Sequence, residues 1–141
     1  MELIIGGRNQ GKLEYFLSGK ERESTLVLEG AELPASEEAL REVLRAAEEG
    51  SQGKQNAVLN HLHLWVRNCA EKEADAEALF ALFREYFPDP AVISDEIGNG
   101  IVPNDPLERE WREETGRLLR KIAKDADHVV RVVCGLPQVI K

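Results

Sequence analysis

The sequence predicts an α/β protein, a mostly parallel sheet of about five or six strands with helices on both faces. Three observations predict it. Short apolar runs, at residues 3–5, 26–28 and 91–93, read as strands covered on both sides rather than as half-exposed alternating ones. Between them lie longer stretches whose apolar residues recur at helical spacing. Glycine and proline punctuate the boundaries.

Taken in order, residues 3–5 form the first strand and 12–17 a short helix, ended by Ser18 and Gly19. Residues 20–23 are a charged connection to a second strand at 25–28, which Glu29 and Gly30 close. Ser36 is an N-cap with Glu37 and Glu38 in the first helical turn, and Leu40, Val43, Leu44 and Ala47 supply the inward face. A polar loop at 50–55 precedes an apolar run at 57–66. Its first part reads as a third strand, and its Leu-Trp-Val part as the start of a helix or a bend. Asp75 caps a helix through Tyr86 with Ala78, Leu79, Leu82, Phe83 and Tyr86 inward, and Pro88 and Pro90 stop it. A fourth strand at 91–94 enters a glycine-rich loop at 95–103. The longest helix starts at Asp105 or Pro106 and runs to about Ala126, with Leu107, Trp111, Leu118, Leu119 and Ile122 on one side. Residues 128–134 are a fifth strand, Gly135 turns the chain, and 136–140 are a short last strand.

The turn after the first strand carries the chemistry. Gly6 and the pair Gly11-Lys12 enclose Gly7, Arg8, Asn9 and Gln10, the G-x-x-x-x-G-K skeleton of a phosphate-cradling loop. Glycines let backbone N–H groups approach an anion with no Cβ in the way. The following helix points its positive end at the same spot, and Lys12 adds a flexible point charge. Position 13 is Leu where the motif has Ser or Thr, the hydroxyl that helps hold Mg²⁺. An anion site is therefore expected and a metal site is not. The alternative is a glycine turn with no ligand. In such a parallel sheet ligands sit at the carboxyl ends of the strands, where residues 6–12, Glu29, Gly30, Asn60, Asp95 and Glu96 all fall.

Bulk properties narrow the partners. A chain of 141 residues suits one domain, residues 1–141, and its 43% hydrophobic content supports a core. A net charge of -8 argues against nonspecific attraction to nucleic acid or to an anionic membrane surface. Cys69 and Cys134 lie far apart with no metal-like spacing, which predicts reduced thiols and a cytoplasmic protein. No charged-then-apolar leader pattern opens the sequence, and no apolar run approaches the roughly 20 residues that span a bilayer.

The second half resembles a known family. Ser94-Asp95-Glu96-Ile97-Gly98-Asn99-Gly100-Ile101-Val102-Pro103 is similar to the S-N-E-V-G-x-G-I-V-P signature of the adenosylcobinamide kinase / adenosylcobinamide-phosphate guanylyltransferase family. Arg109, Arg112 and Gly116, then Ala123 and Ala126, are spaced as in that family, and so is the ending from Val132 to Lys141. The loop from Gly6 to Lys12 is similar to the family's G-G-A-R-S-G-K-S, and Leu62-His63-Leu64-Trp65-Val66-x-Asn68 to its L-T-L-W-L-x-N. The likeness covers both ends and the middle, with a gap between about residues 30 and 55.

The resemblance implies a P-loop fold, a cobalamin-pathway role and self-assembly as a dimer or trimer. It implies phosphorylation of adenosylcobinamide with ATP or GTP, followed by GMP attachment through a guanylylated histidine. It implies nucleotide contacts at Gly6, Gly7, Arg8, Asn9, Gln10, Gly11, Lys12, Leu13, Gly30 and Asn60, with Lys12 and Glu96 in catalytic roles. The departures limit this. Leu13 replaces the family's Ser, Asn60 an acidic residue, and Asp95 an Asn. The histidine-bearing segment after the second strand is missing, for no histidine precedes His61. Guanylyl transfer by that route is not expected, and Mg²⁺ is left without its usual anchors. Two readings stand. One is a purine-nucleotide-binding protein whose remaining activity is the kinase half. The other is a non-catalytic relative acting as an interaction or regulatory subunit.

Other residues keep two readings each. Glu96 is a functional carboxylate or one that bonds amides of the glycine-rich loop. His61 and His63 alternate along a strand-like run and face one side, as cleft-lining residues or, with no third ligand apparent, a metal pair. His128 is structural. Arg109 and Arg112 meet phosphate or form a solvated face paired with Glu108 or Glu113. Trp65 and Trp111 are core or interface anchors.

Overall fold

The computed structural model describes residues 1–20 and 22–141, so Glu21 of the expected charged connection lies outside the described residues. Six strands form one sheet in the order β2-β3-β4-β1-β5-β6. They are β1 (Glu2–Gly6), β2 (Thr25–Glu29), β3 (Asn56–Asn60), β4 (Ala91–Asp95), β5 (His128–Val133) and β6 (Leu136–Val139). All neighbours pair in parallel except β5 and β6, which form an antiparallel hairpin. Cys134 and Gly135, both at positive φ, make its two-residue turn. The mostly parallel sheet with helical cover is the expected architecture and is consistent with a P-loop-type fold.

Alternation along each strand divides the core in two. Leu3, Leu59, Val92 and Val129 face one side, and Ile4, Val58, Ile93 and Val130 face the other. The first side is the thicker. It is covered by α2 (Glu37–Gly50), α3 (Leu62–Glu71), α4 (Ala76–Tyr86) and α5 (Pro106–Asp125), whose Leu40, Leu44, Trp65, Phe83, Leu118 and Ile122 are buried there. The second side is covered by α1 (Lys12–Leu17) through Phe16, with Leu13, Tyr15 and Leu17 half-buried around it. Helices thus lie on both faces, unequally.

Local chemistry sets the boundaries. Asp75 accepts from the Glu77 and Ala78 amides at 3.0 Å each, and Asp105 from Leu107 N–H at 2.9 Å with Pro106 opening α5. Ser36 takes the N-cap position of α2 in extended backbone, but its side chain makes no capping bond. Two expected core positions are exposed. Val43 is 39% accessible, because it sits at the edge of the narrow stripe made by Leu40, Leu44 and Ala47. Ala78 lies on the outer face of α4, where Ala76 and Phe80 take its place inside. None of the helices among the described residues is long and apolar enough to cross a membrane.

Candidate functional site

The carboxyl ends of β1, β3 and β4 open into a cavity of about 860 Å³. Arg8, Asn9, Gln10, Gly11, Lys12 and Leu13 form one wall. Asn60, Asp95 and Glu96 line the strand ends, and His61, His63 and Trp111 come from the side of α3 and α5. This is where a parallel sheet whose strand order reverses presents its crevice. Gly6, Gly7 and Gly30, three of the expected contacts, are not among the residues that line it.

The loop between β1 and α1 is open and braced. Gly6 is pressed against β5, where a Cβ would meet the Val132 carbonyl oxygen at 2.4 Å. Gly11 caps α1 in the left-handed region at φ 81. The hairpin turn holds the loop from the far side. Cys134 N–H donates to Gln10 Oε1 at 2.6 Å, and Gly135 N–H to the Gln10 carbonyl at 3.0 Å. Leu13 packs partly on the core under α1 and also lines the cavity.

Lys12 is turned inward. Its ammonium donates to the Gly7 carbonyl at 2.7 Å and lies 2.6 Å from Asp95 Oδ1. The second oxygen of Asp95 faces His63 Nε2 at 3.5 Å, and Asp95 N–H donates to His63 Nδ1 at 3.1 Å. His63 is therefore a neutral imidazole with its proton on Nε2. Burial pushes its pKa down from 6.5 to about 4; the nearby His61 and Lys12 act in the same direction, against the pull of Asp95.

A second carboxylate organises the end of β3. Glu29 accepts from Asn60 Nδ2 at 2.7 Å through one oxygen and lies 2.8 Å from His61 Nδ1 through the other. Asn60 is buried at the strand end where the sequence placed it. His61 and His63 come together with ring centroids 5.7 Å apart, though not as strand neighbours. The strand ends at Asn60, His61 is the N-cap of α3 at φ 54, and His63 lies within that helix. Among the described residues no group of three or more His, Cys, Asp or Glu could hold a metal ion.

Among the described residues, the Glu96 side chain does not bond the amides of its loop. Arg131 Nε donates to its Oε2 at 3.0 Å, and its own N–H donates to the Gly6 carbonyl at 2.9 Å. Arg109 and Arg112 do not pair with Glu108 or Glu113. They pin the glycine-rich loop instead, on the carbonyls of Pro103, Asn104 and Ile101 at 3.1 Å, while Glu108 pairs with Arg67 at 2.8 Å. Trp65 is a core residue bonded to the Pro34 carbonyl. Trp111 donates to the His63 carbonyl at 2.6 Å and closes the cavity beside it. The sequence places Glu29 at a strand end beside Gly30 but gives it no role; its partners Asn60 and His61 emerge only from the sheet order.

Comparison with known proteins now fits this geometry. A match to the family described as cobinamide kinase / cobinamide phosphate guanyltransferase covers residues 28–140. The chain is 33% identical over 86 residues to the bifunctional adenosylcobalamin biosynthesis protein CobP of Pseudomonas aeruginosa, 57% of this chain and 50% of that protein. It is 40% identical over 50 residues to the bifunctional adenosylcobalamin biosynthesis protein CobU of Salmonella typhimurium, 36% of this chain and 28% of that one. The matches span half or less of these relatives' length. With the matched stretch running from the end of β2 through β6 and carrying every strand end of the cavity but that of β1, the chain belongs to the cobinamide kinase / cobinamide phosphate guanyltransferase family.

Proposed function

We propose that the chain binds a purine nucleotide, ATP or GTP, by its phosphates at the loop of residues 6–12, and that its chemistry is the phosphorylation half of the family's, with cobinamide as acceptor. The observation that carries this reading is the position of Lys12 on the floor of the cavity, held by Gly7 and Asp95. A terminal phosphate entering the loop takes over the ammonium from Asp95, so that one anion replaces another. Gly7, Gly11 and the brace on Gln10 keep the amides of the turn apart for it. A cavity of about 860 Å³ has room for nucleotide phosphates and part of an acceptor.

Guanylyl transfer through a histidine after the second strand is not part of the proposal, because residues 30–36 hold no histidine. The residues present do not fit a Mg²⁺ held by the protein. Leu13 offers no oxygen, Asn60 is neutral and bonded to Glu29, Asp95 is engaged by Lys12, and Glu96 by Arg131. Any Mg²⁺ would arrive on the nucleotide, which often supplies most of that ion's non-water ligands. Two free thiols, Cys69 and Cys134, suit the reducing cytoplasm we assign to the protein.

A second reading, a non-catalytic subunit that works by association, draws on one observation. Leu136 and Val139 on the edge strand β6, and Ile101 and Val102 on the glycine-rich loop, are each at least 72% exposed. Unpartnered apolar residues on a sheet edge suit a dimer or trimer. Titration of ATP and GTP, with and without Mg²⁺, on the native chain and on Lys12→Ala decides between them. Micromolar binding that Lys12→Ala abolishes supports the first reading. Binding that ignores both the metal and the substitution, or no binding, favours the second.

A further inference from the structure

His61 is held in a conformation that its own backbone resists. At φ 54 it sits in the left-handed region, which is unfavourable for a residue with a Cβ, though histidine enters it more readily than most. Neighbours at and just past the end of β2 keep it there. Glu29 uses one carboxylate oxygen on Asn60 and the other on His61 Nδ1. Gly30 lets the two turns touch, since a Cβ there would meet the His61 carbonyl oxygen at 2.4 Å and that of Asn60 at 3.0 Å. Strain maintained by neighbouring residues is what a functional position looks like.

The bond to Glu29 has a chemical consequence. Nδ1 carries the proton it donates, so Nε2 is the nitrogen with the lone pair. The His61 side chain is 42% exposed and lines the same cavity as Lys12. Among the described residues no hydrogen bond reaches its Nε2. His63, the neighbouring ring, is committed at both nitrogens to Asp95.

We propose that His61, oriented by Glu29, is the proton acceptor for the hydroxyl that receives the phosphoryl group in this cavity. The proposal rests on the nucleotide reading above. β3 lies two strands from β1, which places its end about 10 Å from the phosphate loop, the span of a transferred phosphoryl and an attacking alcohol. In the step, the alcohol O–H gives its proton to Nε2 and its oxygen bonds to the terminal phosphorus. The bond from phosphorus to the bridging oxygen breaks, and the nucleoside diphosphate leaves with that electron pair. The imidazolium so formed faces the Glu29 carboxylate and returns its proton to water.

The test uses the full chain, ATP as donor and cobinamide as acceptor, and the variants His61→Gln and Glu29→Gln. ATP affinity is read by calorimetry and phosphoryl transfer across pH. The charged and titrating groups around His61 are Glu29 on β2, His63 and Arg67 on α3, Lys12 on α1 and Asp95 on β4, so each variant is compared with the native profile. His61→Gln is expected to bind ATP as the native chain does, to lose transfer by roughly 100-fold and to lose the acid limb of the profile. Glu29→Gln is expected to fall between, by roughly tenfold. Transfer kept within about threefold in His61→Gln, or an unchanged acid limb, overturns the proposal. So does a native chain that binds ATP but transfers nothing. A native chain that binds no ATP removes the nucleotide reading, and this one with it. Imidazole nitrogen shifts in the unaltered protein give a check that needs no variant: a proton on Nε2 rather than Nδ1 of His61 overturns the assignment.

Discussion

Lys12 Nζ and Asp95 Oδ1 lie 2.6 Å apart, with side chains only 6% and 12% exposed. The lysine of the glycine-bounded loop is thus matched to a carboxylate of its own chain, on the strand next to β1. Under the proposed nucleotide reading this sets up a competition, in which an incoming phosphate would displace Asp95.

Asp95→Asn should separate the two halves of that competition. Lys12 would keep the Gly7 carbonyl but lose its counter-charge, lowering stability by about 2 kcal/mol as a nearly buried pair is broken. ATP would no longer compete with a carboxylate, and its affinity should rise roughly tenfold, worth about 1.4 kcal/mol. Denaturant unfolding and calorimetric titration check the two parts. Unchanged stability together with weaker ATP binding would show that the pair does not guard the loop.

His63 predicts a pH dependence of known sign. Its folded pKa is about 4, pushed down mainly by burial, against an ordinary value of 6.5. Between those values the unfolded chain binds a proton that the folded chain does not. Stability therefore falls as pH drops from 6.5 towards 4, by at most about 1.4 kcal/mol per pH unit, and this contribution levels off below 4. His63→Gln keeps an acceptor for Asp95 N–H and cannot titrate. The difference between native and variant unfolding free energies should carry the slope. A flat difference from pH 4 to 6.5 would mean that His63 takes its proton in the folded state.

How much of this was legible follows from what each feature depends on. β1, β2, β4 and β5 were readable because each is a local, mostly apolar run with a glycine or acidic stop beside it. The residues 57–66 were harder. Leu-His-Leu-Trp-Val alternates like a strand and also fits one turn of a helix, and short apolar runs cannot settle that. The left-handed turn at His61 resolves it, and that turn depends on Glu29 and Gly30, about thirty residues away along the chain. The same holds for the pairs Lys12–Asp95, Glu29–His61 and Glu96–Arg131. The motif predicted where charges would gather, while the partners were fixed only by sheet order.

The two cysteines should report on opening of the fold. Cys69 is fully buried on α3, and its thiol is pushed up to about 12, first by burial and then by the Glu114 and Asp75 carboxylates. Cys134 is exposed in the hairpin turn. Iodoacetamide should label Cys134 in the native protein and Cys69 at least about 100-fold more slowly, at a rate set by unfolding. Asp95→Asn should speed the Cys69 reaction and leave Cys134 unaffected. Equal labelling of both thiols at neutral pH would contradict the packing of α3.

Two glycines tie the sheet to the site, and each should fail differently. Gly6→Ala drives a Cβ to 2.4 Å from the Val132 carbonyl oxygen, a backbone atom of the adjacent strand, so β1 and β5 must part. The expected cost is on the order of 3 kcal/mol. Gly11→Ala meets nothing nearer than 3.6 Å and suffers only its φ of 81, about 1 kcal/mol. Gly30→Ala strikes the His61 carbonyl oxygen at 2.4 Å. The turn that presents His61 lies beyond a strand end, whereas Val132 is paired within the sheet, so this variant should lose less stability than Gly6→Ala while displacing the imidazole from Glu29. Denaturation midpoints rank the three, and the imidazole nitrogen shifts of His61 show whether its bond to Glu29 survives. Intact shifts in Gly30→Ala would mean that the left-handed turn is held by α3 alone, and that the close approach of β2 has no part in aiming His61.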